Sequence, residues 1–129
     1  MDMDFSKQFD DWLAAAMASA IPTEVIAFSF NLFELGSAEA GYGVELVGTD
    51  EFDMENSDWA CAEAWVAHPR FIAIPRAFSS ESWQACLRDV KQLAINALSG
   101  SSITSGKLKE ASVVAIGFTD GDLELIWQR

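Results

Sequence analysis

The residues able to do chemistry are few, and none falls into a known catalytic spacing. His68 is the only histidine and stands before Pro69. A histidine base needs a nucleophile in reach and an acceptor that orients its ring. No motif supplies either, so His68 reads as a surface or turn residue. Cys61 and Cys86 lie far apart in the sequence. Such a pair fits small buried apolar side chains, and a zinc site needs more Cys or His ligands than this chain owns. There is no G-x-G-x-x-G, P-loop, G-x-S-x-G or H-E-x-x-H motif. The sequence therefore assigns no catalytic residue, no metal ligand and no cofactor, and it does not read as an enzyme.

Carboxylates are the one chemical group in surplus. Asp50, Glu51, Asp53, Glu55, Asp58 and Glu63 fall within fourteen residues. A helix–loop–helix calcium site needs glycine at its sixth position and glutamate at its twelfth. Counted from Asp53 those positions are Asp58 and Ala64, and counted from Asp50 they are Glu55 and Cys61. The template fails both ways. Adventitious divalent-cation binding aside, two readings remain for the cluster, a solvated acidic loop and a docking patch for a basic partner. Trp59 and Trp65 sharpen the second. On a strand they share one face with Cys61 and with Glu63 between them, which is the composition of an anchored binding patch. The competing reading makes both tryptophans core. The candidate partner-binding residues are thus Asp50, Glu51, Asp53, Glu55, Asp58, Trp59, Glu63 and Trp65.

The charge of the whole chain points the same way. The 129 residues carry 20 acids and 8 bases, a formal net charge of −12. Fourteen acids and one base, Lys7, precede residue 67, a balance of −13, while the rest of the chain balances at +1. No Lys or Arg occurs from Gln8 to Pro69. Nucleic acid and anionic lipid are excluded as direct ligands, because such a surface repels them. Solubility alone does not explain the segregation, which fits a surface meant for a cationic partner. No apolar run is long enough to span a membrane, and Met1-Asp2-Met3-Asp4 is acidic where a secretory signal is basic. A cytoplasmic protein is expected.

These residues need a scaffold, and the composition provides one. Half the residues are hydrophobic and 12% aromatic, which excludes intrinsic disorder. The length suits one domain over residues 1–129 with about 6,700 Å² of exposed surface. Phe5, Phe9, Trp12, Leu13, Ala16, Met17 and Ala20 predict a helix over 4–20, closed by Pro22. Residues 24–34 alternate, with Ile26, Phe28, Phe30 and Leu32 on one face and Ala27, Ser29 and Asn31 on the other. A turn over 35–41 leads to a second alternating strand at Tyr42, Val44 and Leu46, predicting an antiparallel hairpin.

Trp59–Val66 alternates as a strand, although Ser57 or Asp58 and Pro69 would equally cap and stop a helix. A short strand is expected at Phe71–Ile74. Residues 79–98 predict the clearest helix, capped by Ser79 or Ser80, with Trp83, Leu87, Val90, Ala94 and Ala97 buried. A Ser/Gly/Thr-rich loop over 99–107 follows. Val113–Phe118 and Leu123–Trp127 flank Asp120-Gly121, a hairpin signal. The segment from Val25 to Phe30 weakly echoes Val113–Phe118. The expected fold is α+β, an antiparallel sheet of five to six strands with two helices on one face, in the order α-β-β-β-β-α-β-β.

Two stretches resemble a family. Phe52–Glu63 and Val114–Glu124 are similar to segments of small bacterial immunity proteins, which accompany toxins of contact-dependent inhibition and related polymorphic toxin systems. The resemblance covers under a fifth of the chain and carries no catalytic residue. It implies a cytoplasmic antidote that binds a cognate toxin domain, often a cationic nuclease, by direct protein–protein contact. Monomer and homodimer both stay open. An alternative function is a type III secretion-type chaperone for an effector, which shares the small acidic character and an α-β-β-β-α-β-β order. Those chaperones usually end in a further helix, for which the two residues after Trp127 leave no room. A small carboxylate-based enzyme is the second alternative.

Overall fold

A computed structural model of the chain describes residues 2–36, 40–76, 78, 82–119 and 121–129. The chain opens with α1 (Asp2–Ala18). Its buried stripe is Phe5, Phe9, Trp12, Leu13, Ala16 and Met17, as the helical spacing requires. The strands β1 (Ala27–Glu34) and β2 (Ala40–Thr49) form the expected antiparallel hairpin, with Ala27 opposite Thr49 and Glu34 opposite Tyr42. Gly36 supplies the positive φ of 69° that the turn needs.

The next segment departs from the expected strand. Residues Ser57–Cys61 wind into a short 3₁₀ helix, and Asn56 caps it by accepting from the Asp58 N–H. β3 then runs unbroken through Glu63–Pro75, absorbing the separate strand expected at 71–74. Pro69 sits inside it. An edge strand tolerates the missing N–H, and the register slips between the Glu45 and Val47 pairings to accommodate the extra residues. The Trp12 indole N–H donates to the Pro69 carbonyl at 2.7 Å, fastening α1 to this edge.

α2 (Trp83–Ser99) is capped by Ser82, whose hydroxyl accepts from the Ala85 N–H at 3.1 Å. The expected caps, Ser79 and Ser80, lie outside the described residues. The buried stripe is Cys86, Val90, Ala94 and Leu98, so the helix is rotated from expectation and leaves Trp83 half exposed. Part of the expected loop over 99–107 is a third helix, α3 (Ile103–Leu108), capped by Ser102. Ser105 is fully buried there, and its hydroxyl donates to the Leu98 and Gly100 carbonyls.

β4 (Val113–Phe118) and β5 (Glu124–Gln128) complete the chain as an antiparallel pair. Their connection is longer than a two-residue turn; Gly121 N–H donates to the Phe118 carbonyl, and Asp120 lies outside the described residues.

The sheet order is β3-β2-β1-β4-β5. It is mixed rather than purely antiparallel, because β4 lies parallel to β1. The reason is the crossover: α2 and α3 carry the chain back over the helix face before β4 begins, so it re-enters in the direction of β1. The likeness between the segments around Phe28 and Ile116 follows from this placement, since both strands are central and buried on both faces. The architecture is α+β, with five strands and three α-helices among the described residues, in the order α-β-β-β-α-α-β-β. The main core lies between the helices and Phe28, Phe30, Leu32, Val44, Leu46, Ile72, Ile74, Val114 and Ile116.

Candidate functional site

The acidic segment lies over the other face of this sheet. Phe52 and Trp59 meet edge to face at 5.2 Å and pack with Ala27, Val113 and Ala115 into a second apolar cluster. Around these two anchors the chain turns tightly. The Asp53 carboxylate accepts from the Glu55 N–H at 2.9 Å, and Thr49 donates to the Glu51 carbonyl at 2.9 Å. With Phe52 and Trp59 turned inward and Met54 left exposed, Asp50, Glu51, Asp53, Glu55, Asp58 and Glu63 are all exposed. The loop is therefore held by its aromatics and displays its carboxylates.

The two tryptophans do not share a face with each other. Trp59 is only 5% exposed and belongs to the cluster just described. Trp65 lies on the helix side, half-buried and edge to face with Phe28 at 5.9 Å. Alternation along a strand would have put them together; the 3₁₀ winding over Ser57–Cys61 breaks the period of two. Glu63 lies beside neither as a patch centre. It pairs with Arg70, whose Nη2 donates to it at 2.7 Å.

That ion pair ends a polar chain across three strands. Ser29 Oγ donates to Asn31 Oδ1 at 2.6 Å, and Asn31 Nδ2 donates to Glu45 Oε2 at 3.0 Å. Arg70 Nε donates to Glu45 Oε1 at 3.1 Å. Ser29 and Asn31 are buried and Glu45 is mostly so. The Glu63 and Glu45 carboxylates, in that order, stabilise the Arg70 guanidinium and raise its pKa. Asn31, Glu45, Asp58, Cys61, Glu63 and Thr119 line a cavity of about 190 Å³ beside this chain. Three carboxylates from three parts of the sequence thus converge on one hollow. Glu45 and Glu63 already take the Arg70 guanidinium as their cation, which leaves the Asp58 carboxylate as the one of the three not paired with Arg70.

Of the candidate partner-binding residues only Asp58 and Glu63 line this hollow, and Ser29, Asn31, Glu45 and Arg70 were not among the candidates. A signal for them exists. Ser29 and Asn31 are polar interruptions in a strand otherwise built from Ala, Phe and Leu, and Arg70 is the first base after the long base-free stretch.

The other reactive groups stay apart from the hollow or lack companions. His68 is exposed on the edge strand. Burial, with a smaller contribution from Asp89, pushes the Cys86 thiol up to about 12. Among the described residues, no three His, Cys, Asp or Glu side chains form a group able to hold a metal ion. No described helix is long and apolar enough to cross a membrane. No family model, curated protein or solved structure matches this chain.

Proposed function

We propose that this chain is a small acidic binding protein that neutralises a cationic toxin domain, of nuclease type, by direct contact. What supports the reading is one feature: the segment from Asp50 to Glu63 packs a partly buried Phe52 and a buried Trp59 against the sheet while all six of its carboxylates are exposed. The Glu45–Asp58–Glu63 cavity adjoins it. A nuclease must offer a cationic surface to phosphate, and carboxylates held on a pinned loop are attracted to that same surface. Complementary charge raises association rates towards about 10⁸–10⁹ M⁻¹s⁻¹ at low salt. The carboxylates supply steering, and the mutual repulsion of the free acidic face is relieved on binding.

The test is the association rate with a basic nuclease domain encoded beside this protein. Replacing Asp53, Glu55 and Asp58 together by lysine should slow association about tenfold or more at low salt, with the gap closing as salt rises. The urea midpoint should hold or rise, because these side chains are exposed and the three reversals halve the net charge of −12. Equal association rates for variant and parent would refute the proposal.

A further inference from the structure

We infer that the half-exposed Trp83 forms, with Phe118 and Glu34, a receptor for an arginine side chain of the cationic partner. The inference rests on the proposed capture of a basic protein and names an exposed aromatic anchor that the acidic loop lacks, since Trp59 is core.

Trp83 is the first residue of α2 and is 51% exposed, the most accessible of the large aromatic side chains. Its ring stands at 82° to that of Phe118, with centroids 5.8 Å apart. Phe118 is braced in turn by Tyr42 at 79° and 5.5 Å. Phe118 is itself only 9% exposed, so the accessible aromatic surface of the hollow beside these rings is mainly that of Trp83. That hollow has a volume of about 340 Å³ and is lined, among the described residues, by Glu34, Trp83, Phe118 and Gly121. Glu34, the last residue of β1, is exposed and adds a carboxylate to the aromatic walls.

Aromatic faces beside a carboxylate select an organic cation over a neutral group of the same shape. Guanidinium suits the hollow better than ammonium, because it is planar, weakly hydrated and stacks on indole. Phe118 and Gly121 also line the hollow of Glu45, Asp58 and Glu63, so the two cavities flank the same β4–β5 connection. A basic surface steered onto the carboxylates would therefore bring its side chains to Trp83.

The test uses the intact protein and two small probes, Nα-acetyl-arginine amide and its neutral isostere Nα-acetyl-citrulline amide. The indole N–H resonance of Trp83, assigned by its disappearance in Trp83→Phe, is followed during titration. Arginine amide should saturate this resonance near millimolar concentration, with half-saturation at least about fivefold below that of citrulline amide. In Glu34→Gln the arginine half-saturation should rise about two- to fivefold, with the citrulline titration unchanged. Equal half-saturation for the two probes, or no saturation by arginine, overturns the inference. Both results are independent of association with the nuclease domain, so failure of the receptor and failure of capture are separately visible.

Discussion

Trp59 shows how one residue's role depends on its surroundings. A tryptophan among carboxylates has the composition of an interface anchor, yet this one fastens its loop to Ala27, Val113 and Ala115. Trp59→Ala should cost about 3–5 kcal/mol of stability, read as a lower urea midpoint, because it empties a buried volume. Neutralising Asp53 or Glu55 should change stability by less than about 0.5 kcal/mol. The cysteines make a second contrast. Cys61 is exposed and Cys86 buried. A thiol raised to about 12 holds almost no thiolate at neutral pH, so Cys86 should resist a disulfide reagent in the folded protein. One thiol per chain should react under native conditions and two in denaturant; prompt reaction of both in the native protein would contradict the packing.

At the scale of elements, two glycines set how closely strands and loops approach. A Cβ on Gly43 would lie 2.7 Å from Cζ of Phe33, whose ring crosses β2 to meet Phe71 edge to face. A Cβ on Gly117 would collide with the backbone carbonyl of Asp122. A side chain can rotate away, whereas a carbonyl moves only with the β4–β5 connection. Gly117→Ala should therefore destabilise by about 2 kcal/mol or more, and Gly43→Ala by about 1 kcal/mol, as thermal unfolding would measure. The edges also explain a misread boundary. Pro69 and Pro75 look like strand terminators in a sequence; Pro75 does end β3, whereas Pro69 lies within it, on an edge strand that tolerates the missing N–H.

For the molecule as a whole, the accessible area is 6981 Å², close to the value expected from its mass. Net charge is the dominant global term. With −12 on this surface, folding works against self-repulsion, so salt should raise the urea midpoint. Asp10 gives the pH dependence a sign. Desolvation first, and the neighbouring Asp11 second, raise its pKa above that of an unfolded aspartate. The native state then binds the proton more tightly, so stability rises as pH falls from neutral towards about 4. Urea titrations across that range should show a rising midpoint; a steady fall would mean that other carboxylates lose more favourable native contacts than Asp10 and general repulsion give back.

Local structure was legible in the order of residues alone. Period and composition specified α1, the β1–β2 hairpin, β4 and the body of α2, and the acids of 50–63 stood exposed as their composition implied. Each of these depends on neighbours along the chain, where helix and strand periods act. Tertiary structure decided the rest. It set β4 parallel to β1, turned α2 so that Trp83 faced out, and sent Trp59 and Trp65 to opposite faces of the sheet. It also joined Asn31, Glu45 and Arg70 into one polar chain. Those outcomes depend on which surfaces meet across the fold, and a periodicity along the backbone carries no information about the partner it will face.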